Sequence, residues 1–239
     1  MKIKRLSLVM FYICFFIIVW YLQGIPVIWN PSLDSLLLLN SSASGYNSIT
    51  AYALLYSIPF LLLTYHFYLP NNIITYTRYK SRESNYIRIF MQTLLVAVLF
   101  STLHFLVNLI LTSIHFDWNI IQESNFIFIG IINSISLCLF FLFIGLLNQI
   151  IKIFVGKYVV SIFISFVILG SYFFLDKLIL QGSTWSILKE LGIMTYYFYD
   201  NWTIAEILFS IIRLLAVVCV TYIIGSIFYL KRDVISYDA

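Results

Sequence analysis

Six stretches of this chain are apolar for long enough to cross a bilayer, and almost no charge interrupts them. A hydrocarbon core about 30 Å thick takes about 20 apolar residues in helical form. The stretches cover residues 6–22, 49–69, 89–114, 125–155, 159–175 and 204–230. Backbone polar groups inside lipid must be satisfied without water, so runs of this length read as helices. The expected fold is an all-α, polytopic membrane protein of six transmembrane helices, in one domain over residues 1–239. The fourth and sixth stretches exceed the required length and should tilt or enter the interface. Composition agrees, because the chain is 62% hydrophobic and 10% charged, whereas a soluble domain carries about 25% charged residues.

Orientation follows from the basic residues, since short loops rich in Lys and Arg stay in the cytoplasm. With the N-terminus inside, Lys2, Lys4, Arg5, Arg78, Lys80, Arg82, Arg88, Lys152, Lys157, Lys231 and Arg232 all fall inside. Lys177 and Lys189 fall outside, and Arg213 sits within the last stretch. Both termini are therefore expected in the cytoplasm. The net charge of +4 is explained by this asymmetry and gives no reason to expect nucleic acid. The first stretch resembles a signal peptide at its basic start, but it is long and lacks a small-residue cleavage site, so it is expected to be retained.

Chemistry-bearing motifs are absent from the sequence. Gly156-Lys157 lacks the upstream glycine and following Ser/Thr of a phosphate-binding loop. His66, His104 and His115 have no metal-ligand spacing, and Cys14, Cys138 and Cys219 read as small buried side chains. His104 reads as a helix-packing residue, with a proton relay as the sharper reading. Pro59, in the middle of the second stretch, should kink its helix, as a static bend or as a gating hinge.

Arg213 is the one intramembrane charge, at a cost of roughly 2.5–3.5 kcal/mol on insertion scales. Glu206 lies two turns before it on about the same face, about 10 Å away. A direct pair would need extended side chains or water, so Arg213 reads as a snorkelling or packing residue or as part of a substrate path. Residues 24–48 form a long outer segment holding Pro26 and Pro31. A second, residues 176–203, contains Ser183 to Gly192 with Leu188 and Leu191 at helical spacing. It reads as a short interfacial helix in a re-entrant hairpin, or as an ordinary aromatic belt.

The residues between the second and third stretches carry the remaining signal. Arg78, Lys80, Arg82 and Arg88 fall within Tyr76-Thr-Arg-Tyr-Lys-Ser-Arg-Glu-Ser-Asn-Tyr-Ile-Arg88, and Tyr76, Tyr79 and Tyr86 interleave with them. Arg78, Arg82 and Asn85 or Tyr86 recur at helical spacing, so one face can pair while the tyrosines pack. The bland reading is that these arginines only fix topology and meet anionic lipid heads.

Arg78-Tyr-Lys-Ser-Arg-Glu83 resembles the Arg-Tyr-x-Ser-Arg pattern of small bacterial permease subunits of type-2 ABC exporters, including those of bacteriocin-immunity and antimicrobial-peptide export systems. The ending Phe228-Tyr-Leu-Lys-Arg-Asp-Val234 is similar to theirs. The resemblance implies a subunit of the bacterial plasma membrane that pairs with a second, identical or related permease and with two separate ATPase subunits. ATP and magnesium would be held by those ATPases, no catalytic residue is expected here, and the cargo would be a peptide or an amphipathic molecule. It further implies that residues 70–88 form a coupling loop seated on the ATPase, with Tyr76, Arg78, Tyr79, Lys80, Arg82, Glu83, Tyr86 and Arg88 as its docking residues. The alternative is a six-span small-molecule-binding or sensor subunit of the energy-coupling importer type, with no transport path of its own.

Overall fold

The computed structural model describes residues 2–67, 81–180, 185–199 and 202–231. Helix α1 is Lys2–Ile28, α2 is Leu33–Ser41, and a π turn at Ala51–Leu55 leads into α3, Ser57–Phe67. Helix α4 is Arg82–His115, α5 is Trp118–Glu123, and α6 is Phe126–Val155. Helix α7, Tyr158–Leu175, runs on as a second π turn, Asp176–Leu180. A 3-10 turn at Lys189–Leu191 precedes α8, Ile193–Tyr199, and α9, Ile204–Lys231. Among the described residues there is no strand. Among those residues, five helical stretches are long and apolar enough to cross a membrane, and Ala51–Phe67 is a shorter apolar one.

Side-chain contacts give the direction of each helix. Phe16 packs on Phe100 and Trp20 reaches Asn108, so α1 and α4 run parallel. Tyr12 bonds the Pro59 carbonyl while Phe16 meets Tyr56, so α3 runs against α1. Helix α6 opposes α4, with Phe141 on Phe100 and Gly145 against Thr93. Ser165 on Asn148 sets α7 against α6, and Asn85 on Tyr229 sets α9 against α4. The start of α1 and the end of α9 thus share one end of the bundle with the start of α4. The short helices α2, α5 and α8 and the 3-10 turn cap the other.

Helix α6 is the axis of the bundle, with half of its most apolar window buried, against 28% for α1, α7 and α9. Its Gly130 and Gly145 leave room for Phe105 and Thr93 of α4, which would have to shift if a Cβ stood opposite. The outer helices turn large apolar side chains such as Phe11, Leu22, Phe163 and Phe209 outward. So much exposed apolar surface requires an apolar solvent, and the protein is membrane-embedded. Cys14 and Cys219 lie on this outward face, contrary to the expectation that all three cysteines are buried, and Cys138 is half-buried. Their positions on α1 and α9 put them on the bilayer side of two peripheral helices.

Local chemistry explains the boundaries. Helix α1 runs past residue 22 to Ile28 and takes in Pro26, which was expected in a loop. Near a helix end proline removes only one hydrogen bond. Around Pro59 the ladder is rewired. Tyr56 N donates to Ala51 O, five residues back, at 2.8 Å, and Ser57 Oγ donates to Tyr52 O at 2.9 Å. Ser57 Oγ thus satisfies the Tyr52 carbonyl at the π turn, and Pro59 lies in the first turn of α3. Gly156, with φ 78°, closes α6 and turns the chain into α7. The Gly156-Lys157 pair is a helix stop.

Candidate functional site

Helix α4 begins at Arg82, seven residues before the start of the expected span, because Ser81 caps it and Glu83 meets its positive end. Ser81 Oγ accepts the Ser84 N–H at 3.2 Å. Arg82, Glu83, Tyr86 and Arg88 consequently occupy the first two turns of a 34-residue helix. Tyr76, Arg78, Tyr79 and Lys80 lie outside the described residues, as do residues 70–75 and 77 of the expected coupling loop.

Those two turns are fastened to the end of α9. Arg82 Nη1 donates to the Leu230 carbonyl at 2.9 Å, Asn85 Nδ2 donates to Tyr229 Oη, and Tyr86 Oη donates to the Tyr222 carbonyl at 3.2 Å. Tyr86 is buried against Gly225, where a Cβ would collide with its hydroxyl. Asn85 and Tyr86 are thus engaged within the chain, while Arg82 and Glu83 are exposed and Arg88 is half-buried. Tyr222, Gly225 and Tyr229 recur at spacings of three and four on α9. That pattern was the sequence signal for a helix-packing face.

The intramembrane charge is paired, and its partner is Glu190. Arg213 Nε lies 2.7 Å from Glu190 Oε1, and Nη2 donates to Oε2 at 3.1 Å, a forked contact. Trp185 Nε1 donates to Oε1 at 2.6 Å, and Ser210 Oγ, one turn before Arg213, donates to the Glu190 carbonyl at 3.3 Å. Glu190 is 2% exposed and Arg213 46%. Long helical side chains lean toward the N-terminus of their helix, which carries the guanidinium back toward the capped end where the 3-10 turn waits. Glu206 has a different duty. Its carboxylate accepts the N–H and hydroxyl of Thr203, at 2.7 and 2.8 Å, closing a capping box at the start of α9.

The segment carrying Glu190 is packed inside the bundle. Leu188, Leu191, Ile193 and Met194 are all buried, so the Leu188/Leu191 spacing belongs to the core. Within 183–192 the described helical structure is the 3-10 turn alone, and the regular helix is α8, beyond Gly192. Residues 181–184, which include the start of the expected interfacial helix, lie outside the described residues.

Met194 meets a chain of buried amides that links α1, α2, α4, α6 and α8 with the loop and π turn between α2 and α3. Trp20 Nε1 donates to Asn108 Oδ1 at 2.9 Å, and Asn108 Nδ2 donates to Asn40 Oδ1 at 2.9 Å. Asn47 Nδ2 reaches the same oxygen at 2.8 Å and Met194 Sδ at 3.1 Å. Tyr52 Oη donates to Asn47 Oδ1 at 2.7 Å, and Asn133 Nδ2 donates to Tyr52 Oη at 2.7 Å. Interhelical hydrogen bonds in a membrane average about 0.6 kcal/mol each, so the network fixes geometry more than it adds stability. His104 packs beside it, stacked on Tyr46 with centroids 4.3 Å apart and edged by Phe16 and Tyr56. Its Nε2 is buried without a hydrogen-bond partner. Burial, with Tyr52 close by, pushes the Tyr46 hydroxyl well above its ordinary pKa, and its proton serves the His104 carbonyl at 3.3 Å.

Among the described residues no group of three His, Cys, Asp or Glu side chains is placed to hold a metal ion. The fold and site together define an all-helical membrane-embedded protein with a braced helix pair at one end and a capped polar core at the other. Neither family models, curated proteins nor solved structures give a significant match to it.

Proposed function

We propose that the chain is the membrane-spanning subunit of an ATP-driven exporter of the ABC type-2 kind, with six spans and both termini on the cytoplasmic side of a bacterial plasma membrane. It would pair with a second permease and with two ATPase subunits that hold ATP and magnesium. A peptide or amphipathic cargo would then move by alternating access.

The observation that carries this reading is the brace between α4 and α9. The basic segment around Arg78 feeds into Arg82, whose guanidinium holds the Leu230 carbonyl, and the next turn is fixed by Asn85 and Tyr86. A push delivered to that segment would reach two long helices at once, as a coupling element needs. Copurification of the ATPase with wild-type protein and with the Arg78→Glu/Arg82→Glu variant tests it. The expected result is loss of ATPase association with the membrane fold intact. Full association and transport by the variant would refute docking at this segment.

A further inference from the structure

A pocket of about 510 Å³ opens at the capped end, where the loop after α2, the π turn after α7 and the start of α8 meet. Phe173 and Ile49 give it an apolar wall, Asp176, Lys177 and Lys189 bring charges of both signs, and Ser42 and Thr50 bring hydroxyls. A second cavity of about 480 Å³ shares Ala43, Ser48 and Thr50 with it and extends the space to Gln23 and Leu54. The volumes suit a small organic group rather than a few waters.

Asp176 lines the first cavity and Gln23 the second. An ionised carboxylate accepts hydrogen bonds and donates none. The Asp176 carboxylate in the wall of the first cavity therefore selects for N–H or O–H donors. Beside this demand stands positive charge. Lys177 is exposed, with its ammonium 5.5 Å from the centre of the Phe173 ring, and Lys189 lines the same wall. The fitting ligand carries an ammonium with its own N–H donors next to an anionic group, on an apolar body.

The setting identifies the source of such a ligand. Leu178 and Ile179, on the same π turn as Asp176 and Lys177, are each 69% exposed, so the pocket's rim continues into the apolar outer face of the bundle. We propose that this pocket is a lipid-headgroup site, selective for a phospholipid whose phosphate is followed by an amine that retains N–H donors. The phosphate meets Lys177 and Lys189, the amine meets Asp176, and the acyl chains follow Leu178 and Ile179. The site stands without the exporter reading, since lipid binding requires no ATPase.

The test uses the full chain in detergent and short-chain lipids that differ only in headgroup methylation. Dihexanoyl phosphatidylethanolamine, its N-methyl and N,N-dimethyl forms and dihexanoyl phosphatidylcholine are titrated, with native mass spectrometry as the readout. Affinity should fall as N–H donors are replaced, by roughly tenfold overall, the worth of one charge-assisted hydrogen bond. Equal affinity across the series overturns the proposal using wild-type protein alone. Asp176→Asn should flatten the series while leaving the melting temperature unchanged. A folded Asp176→Asn protein with undiminished preference also overturns it. Phosphoethanolamine in solution should compete with the short-chain lipid more weakly than the lipid itself binds. Competition at equal strength would point to a soluble zwitterion and overturn the lipid assignment.

Discussion

Arg213 and Glu190 hold each other by two parallel contacts, Nε to Oε1 at 2.7 Å and Nη2 to Oε2 at 3.1 Å, although 23 residues separate them. The pair ties the loop before α8 to the third turn of α9. Removing one partner of a fully buried pair costs about 3–5 kcal/mol. Arg213 is 46% exposed, which lowers the figure.

Arg213→Leu is therefore expected to destabilise the protein by about 2 kcal/mol, through a carboxylate left buried with only Trp185 as its side-chain donor. Adding Glu190→Gln should recover about half of that loss. Thermal unfolding of the two single variants and the double variant in detergent gives the coupling directly.

The amide chain predicts a second non-additive result. Asn108→Leu leaves Trp20 Nε1 without its acceptor and Asn40 Oδ1 with one donor fewer. The expected loss is about 1–2 kcal/mol. In the Trp20→Phe background the same change should cost less, because the indole donor is already gone. Unfolding of this variant set reads the difference.

Gly225→Val tests the brace between α4 and α9. Its side chain would occupy the position of the Tyr86 hydroxyl, and overpacking of this kind costs about 1–3 kcal/mol. Tyr86→Phe alone should be milder, because it loses only the bond to the Tyr222 carbonyl. Combining Gly225→Val with Tyr86→Ala should restore part of the stability.

Topology has its own test. Lys157 lies between α6 and α7 at the end shared by the helix termini, whereas Lys189 lies at the capped end. In intact cells a membrane-impermeant maleimide should label Lys189→Cys and spare Lys157→Cys, on a background with Cys14, Cys138 and Cys219 replaced by serine or alanine. The opposite pattern would invert the proposed orientation.

The parts legible in the sequence are those set by local composition. The stretch at 125–155 agrees with α6 to within one residue, since Asn125 and Gly156 bound it with residues suited to helix ends. The stretch at 204–230 does as well, with Thr203 and Glu206 forming its capping box. Glu206 beside Arg213 was a misleading neighbour, because chain proximity says nothing about which loop folds back onto the helix. Glu190 could not be paired from spacing, since its position depends on the 3-10 turn and on Ser210 donating to its carbonyl. The early start of α4 was readable in Ser81 and Glu83, but the density of charge there resembled a loop. The amide chain left only scattered traces, single asparagines in apolar runs and in the outer segment, which become a set only when α1, α2, α4, α6 and α8 pack around the turn after α2.

The same amide chain has a consequence for how the protein is made. Its members are synthesised in sequence order: Trp20 first, then Asn40, Asn47 and Tyr52, later Asn108, then Asn133, and Met194 last. From Asn47 onward, every newcomer bonds a residue synthesised before it: Asn47 to Asn40, Asn108 to Trp20 and Asn40, and Asn133 to Tyr52. Each asparagine after Asn40 thus has its partner already present in the chain when it is made.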